Sequence, residues 1–154
     1  MSNIIRWLHI SDFHVGKDNY EEEKIFKYIL EHIEEKLTED FILDFIFITG
    51  DIANRGLEQE YNQFFEDFLF PLIEILKFKT WEDKIFIVPG NHDLQRKYVI
   101  SINRESRFDD KSVFFKNSKQ GQEVREINEA RAFEEFSKFI VTNSLYSTPK
   151  VKTI

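Results

Sequence analysis

The sequence predicts an α/β fold, a parallel sheet packed by helices. Three observations carry it: short apolar runs alternate with long amphipathic stretches, each run closes on a polar turn, and the stretches between runs are long enough for helical crossovers. Ile4 to Ile10, rich in Ile and Trp and ending at Ser11-Asp12, reads as the first buried strand. From Tyr20 to Leu37 the residues Ile25, Phe26, Ile29, Leu30, Ile33 and Leu37 recur at helical steps with Glu and Lys between them, the pattern of an amphipathic helix. Phe41 to Thr49 is the second strand, closed by Gly50-Asp51. A second helix is expected over Leu57 to Lys77, with Tyr61, Phe64, Phe65, Phe68 and Leu72 on its apolar side and a kink or restart at Pro71, which lacks an N–H. Lys84 to Val88 is the third strand, stopped by Pro89-Gly90. Arg96 to Gln122 is polar and weakly periodic and reads as a long loop or insertion. Ala130 to Val141, with Ala132, Phe133, Phe136, Phe139 and Ile140, restores a helical pattern, and the tail from Ser144 is expected to fray.

A chain of 154 residues fits one domain with a real core, and its seventeen Phe predict a core filled by large rings. With no Cys, disulfides, thiolate metal sites and Cys nucleophiles are excluded, and any metal must be held by oxygen and imidazole. The expected compartment is the cytoplasm. The longest apolar stretches, Phe41 to Ile48 and Ile85 to Val88, fall short of the ~18 residues of a membrane span. Met1 to Ile10 lacks the layout of a signal peptide, so neither a membrane nor a secreted location is expected.

The net charge of −7 argues against nucleic-acid binding by the whole surface. The charge is uneven, however: residues 1–93 hold 9 basic and 20 acidic side chains, net −11, whereas residues 94–125 hold 8 and 4, net +4. The run Arg96, Lys97, Arg104, Arg107, Lys111, Lys116 and Lys119 reads as a solvated loop or as the route of an anionic substrate.

The chemistry lies where the strands end. Ser11-Asp12-Phe13-His14, Gly50-Asp51 and Gly90-Asn91-His92-Asp93 each follow a predicted strand, and in a parallel sheet the carboxyl ends of the strands share one edge. Asp12, His14, Asp51, Asn91 and His92 should therefore meet. In an extended segment Asp12 and His14 would point to one side and chelate one ion. Asp51 can bridge two cations, the Asn91 amide oxygen is a neutral ligand, and the mixed donors suit Mn, Fe, Zn or Ni. Two such ions roughly 3.5–4 Å apart can activate water for displacement at phosphorus. His92 is placed to protonate a leaving group; a helix N-cap is the competing reading for His92 and Asp93. His9, inside the strand, reads as a core or supporting histidine, and His32 as a helix bystander. Asn54 and Arg55 read as loop caps or phosphate contacts.

These blocks resemble the calcineurin-like metallophosphoesterases over residues 4–93, in the correct order, with Asp12, Asp51 and Asn91 spaced 39 and 40 positions apart. The resemblance implies the β-α-β-α-β half of an αββα sandwich. It also implies two divalent metal ions, with Asp12 and His14 on the first, Asp51 bridging, Asn91 on the second, and His92 with Asp93 as the catalytic pair. The segment Gly50-Asp51-Ile52-Ala53-Asn54 with Glu60-Tyr61 looks most like the branch containing cyclic-nucleotide phosphodiesterases, which implies hydrolysis of a phosphomono- or diester, a small molecule or nucleotide. DNA exo- or endonucleases of the same family, acting on nucleic acid, are the rival. The family pattern continues with Gly-His and Gly-His-x-His blocks, but all four His here (His9, His14, His32, His92) precede Asp93. Residues 1–154 are accordingly expected to be a metallophosphoesterase domain lacking the C-terminal ligand blocks. It would be either part of a longer enzyme or a truncated, non-catalytic metal-binding module, and the resulting half-sandwich should expose apolar sheet surface.

Overall fold

The computed structural model describes residues 4–17, 19–37, 41–81, 83–99, 119, 126–127 and 130–145. Its elements run β1 (Trp7–Ile10), α1 (Asn19–Lys36), β2 (Phe45–Thr49), α2 (Glu58–Phe64), a π-helical turn (Phe65–Leu69), α3 (Phe70–Leu76), β3 (Ile85–Val88), α4 (Arg96–Val99) and α5 (Glu134–Thr142). The three strands form one parallel sheet in the order β1-β2-β3, the α/β arrangement that the alternation of runs predicts. Parallel pairing leaves all three strand ends, and the turns after them, on one edge.

The two faces of the sheet differ. Ile46 and Ile48 of β2 and Ile85 and Ile87 of β3 are fully buried, and they join Phe26 of α1, Phe64, Phe68 and Leu72 in the core. The opposite face carries Trp7 beside Phe45, His9 beside Phe47, and Phe47 beside Phe86. Here the Phe47 and Phe86 rings stack at 5.4 Å, while Trp7 stays 61% and Val88 49% exposed. His9 lies on this open face and not in the core: its Nε2 lies 2.6 Å from Thr49 Oγ1 across the strands.

Strand and helix limits depart from the periodic pattern where a local partner intervenes. The first strand starts at Trp7, with Ile4 and Ile5 exposed, and the second starts at Phe45, because the Asp44 carboxylate accepts the Arg6 N–H at 2.8 Å. On α1, Phe26 and Ile33 are buried, but Ile25 is 53% exposed, one position off the buried stripe. The expected second helix restarts at Pro71, as its missing N–H requires: Pro71 sits in the first turn of α3, where that donor is not needed, and the π turn before it absorbs the offset. Of the stretch expected as a loop, residues 96–99 are helical; 100–118 and 120–122 lie outside the described residues, as does the tail from 146. α5 covers α2, with Phe139 stacked on Tyr61 at 5.2 Å. Among the described residues, no helix is long and apolar enough to cross a membrane.

Candidate metal centre

Beyond Ile10 the chain keeps its alignment with β2 but changes its backbone. The Asp12 N–H donates to Gly50 O at 3.3 Å, His14 N–H to Asp51 O at 2.9 Å and Val15 N–H to Ile52 O at 2.9 Å. Phe13 turns its ring into the helix layer, 4.8 Å from Phe64 and 5.0 Å from Phe68. With Phe13 anchored there, its two neighbours adopt left-handed backbone, φ 62° at Asp12 and 51° at His14, and Asp51 does the same at 49°. For residues with a Cβ this conformation is sparsely populated, and such strain concentrates where a site must aim side chains. The extended geometry expected for Asp12-x-His14 is therefore replaced by a tighter turn.

The side chains brought together are His14, Asp51 and His92, whose ligand atoms lie within 4.8 Å of one another. His14 Nε2 stands 4.0 Å from Asp51 Oδ2, and the His14 and His92 rings meet edge to face at 4.7 Å. Asp51 Oδ1 accepts the His92 backbone N–H at 2.8 Å, joining the second and third strand-end segments. No hydrogen-bond donor reaches Asp51 Oδ2 among the described residues, and its side chain is only 14% exposed. A largely buried carboxylate facing two imidazoles, with no Lys or Arg paired to it among the described residues, is a donor set suited to a cation. Asp12 and Asn91 lie at the same edge but are exposed; the Asp12 carboxylate accepts the Ser11 hydroxyl at 2.5 Å.

Two glycines make room for this packing. Gly50 takes φ 82°, and a Cβ on Gly90 would overlap the Asp51 carboxylate and backbone nitrogen.

Asp93 stands apart from the imidazoles. It is fully buried; its Oδ1 accepts from Ala53 N–H at 2.9 Å and Tyr61 O–H at 3.1 Å, and its Oδ2 from Gly90 N–H at 2.8 Å and Ile52 N–H at 3.3 Å. Burial pushes its carboxyl above the usual range, and the backbone donors and the Tyr61 hydroxyl offset only part of this. Burial, then the charge of Asp93, likewise raises the Tyr61 hydroxyl. Instead of pairing with Asp93, the His92 ring places Nδ1 3.0 Å from the carbonyl oxygen of Asn54. A carbonyl only accepts, so Nδ1 carries the proton and Nε2 is left for chemistry. The sequence places Tyr61 on the apolar side of a helix and in the Glu60-Tyr61 pair of the family resemblance, but no local pattern marks its hydroxyl as the partner of Asp93. Asn54 and Arg55 act here through backbone: Asn54 N–H donates to Val15 O, and Arg55 N–H to the Glu60 carboxylate. A cavity of about 810 Å³ lies away from this centre, between Leu37, Leu43, Leu76 and Lys84 near the start of the strands.

Three relatives place this arrangement among known proteins. An uncharacterised metallophosphoesterase-like protein of Bacillus subtilis is 34% identical over 92 residues, 60% of this chain and 18% of that protein. A probable cyclic nucleotide phosphodiesterase of Coxiella burnetii is 28% identical over 130 residues, 79% of this chain and 48% of its own length. A 3′,5′-cyclic adenosine monophosphate phosphodiesterase of Haemophilus influenzae is 28% identical over 107 residues, 66% and 34% respectively. The chain thus spans less than half the length of each of these relatives. The sequence profile of the calcineurin-like phosphoesterases matches residues 5–150, nearly the whole chain, and on that extent of agreement the chain belongs to the calcineurin-like phosphoesterase family.

Proposed function

We propose that this chain carries a metal-dependent phosphoester hydrolase site of the phosphodiesterase type, with a nucleotide as the substrate class. The observation that carries the reading is the convergence of His14, Asp51 and His92 at one sheet edge. Two relatives named as cyclic nucleotide phosphodiesterases support the substrate class.

In this reading His14 and Asp51, with Asp12 and Asn91 beside them, would hold two divalent cations such as Mn, Fe, Zn or Ni. When bound, such ions supply Lewis acidity, lowering the pKa of water and offsetting charge at phosphorus. Hydrolysis adds water across a P–O bond, and the departing oxygen needs a proton. His92 supplies it from Nε2, because Asn54 O fixes the other ring proton on Nδ1. Asp93 is a positioning residue, holding the Ile52, Ala53 and Gly90 amides so that Asp51 and His92 stay in register. Imidazole donors in this chain end at His92, so residues 1–154 supply the first part of the family's ligand pattern.

The test is hydrolysis of bis-p-nitrophenyl phosphate and of 3′,5′-cyclic AMP with added Mn, comparing wild type with Asp51→Asn and His92→Ala. Turnover lost in both variants is the expected result. Turnover unchanged in either variant would remove that residue from the site.

A further inference from the structure

We propose that Arg96 binds the phosphoryl group in this site, an inference that rests on the phosphoesterase reading above and extends it to a residue outside the strand-end blocks. Arg96 Nη2 lies 3.5 Å from His92 Nδ1. That nitrogen already gives its proton to Asn54 O, so it has no lone pair for the guanidinium, and the approach is not a hydrogen bond. The contact therefore leaves the guanidinium beside the His92 ring with its donors unused, and a permanent positive charge so placed is suited to an anion.

Nothing of this chain supplies that anion among the described residues: no carboxylate pairs with Arg96, although residues 1–93 carry a net charge of −11. The side chain is exposed and open to a ligand, but its root is fixed. Gln95 is 4% exposed, its N–H donates to Ala132 O at 2.9 Å, and its carbonyl accepts Tyr98 N–H at 3.0 Å. An exposed guanidinium on an anchored backbone, beside the Nδ1 edge of the His92 ring, suits fork-like bonding to two non-bridging phosphoryl oxygens. The ligand chemistry is a phosphate carrying at least two free oxygens.

The experiment is isothermal titration of inorganic phosphate into the full chain, with and without Mn, for wild type, Arg96→Ala, Arg96→Lys and the remote Lys138→Ala. Urea midpoints check that each variant folds, as expected for an exposed side chain. Phosphate affinity should fall about tenfold to hundredfold in Arg96→Ala, the loss of one charge-assisted contact, recover in part in Arg96→Lys, and stay unchanged in Lys138→Ala. Equal affinity in Arg96→Ala and wild type, or no phosphate binding by wild type, overturns the proposal. The readout is independent of turnover. A phosphate effect without hydrolysis keeps Arg96 and removes the hydrolase reading; hydrolysis with phosphate affinity untouched by Arg96→Ala does the reverse.

Discussion

The Tyr61 hydroxyl donates to Asp93 at two points, 3.1 Å from the carboxylate Oδ1 and 3.2 Å from the carbonyl oxygen. Tyr61 is 1% and Asp93 0% exposed, so water cannot replace this contact. Because Asp93 also holds Ile52, Ala53 and Gly90, the α2 residue Tyr61 fastens the two turns that carry Asp51 and His92.

Tyr61→Phe keeps the ring and its stacking on Phe139 but deletes the donor to a buried carboxylate. The expected loss is about 1–3 kcal/mol of stability, read from urea unfolding. An unchanged midpoint would mean that the hydroxyl contributes nothing net.

Asp93 makes stability depend on pH. Burial holds its folded carboxyl above the ordinary 3.8, so the folded state favours the protonated form. Its contribution is fully present below 3.8 and is lost as pH rises through the raised folded value. The stability difference between wild type and Asp93→Asn, which does not titrate, should therefore shift against wild type as pH rises from about 4 toward neutrality. A difference that is flat over that range, measured by urea midpoints, would contradict the assignment.

Gly90→Ala places a methyl group against the Asp51 carboxylate and backbone nitrogen. Asp51 must move, and Mn affinity should weaken about 10–100-fold, as for other changes that misplace a ligand. Calorimetric titration with Mn checks this, and native affinity in the variant would place Asp51 outside the metal site.

A cation bound only by the folded chain raises its stability. At a hundredfold excess over Kd the gain is about 2.7 kcal/mol, removable with EDTA. His14→Ala should abolish most of that gain without a comparable loss in the metal-free protein, since the His14 side chain is 31% exposed. Thermal unfolding with and without Mn gives the comparison.

The open sheet face has an optical signature. Trp7, 61% exposed, should be readily quenched by acrylamide, while Trp81, whose indole N–H donates to Asn143 O at 3.3 Å, should be the protected one of the two tryptophans. The exposed rings should also bind a hydrophobic dye such as ANS, and Phe47→Ser should reduce that binding. Equal quenching in Trp7→Phe and Trp81→Phe variants would show that this face is covered in solution.

Local rules made the architecture legible. Alternation of apolar runs with helical periodicity identified three strands and the helices between them, because those patterns record which side of each element is buried. Parallel topology then brought His14, Asp51 and His92 to one edge, as their positions just after strands imply. The limits of the elements were less legible: the exposure of Ile25, the late starts of β1 and β2 and the position of His9 depend on which neighbours are present.

By itself, then, the sequence determined the α/β class, the order of the strands along the chain and the types of ligand available at their ends. Only the tertiary structure decided how those groups are aimed. The left-handed turns at Asp12 and His14 flank Phe13, which packs among helix rings, and Asp51 adopts the same backbone after the second strand. Asp93 became a buried clasp through Tyr61, 32 positions away, and Asp51 met His92 across 41 positions. Contacts at such separations leave no periodic trace in the chain, since they arise from the closeness of elements that only folding brings together.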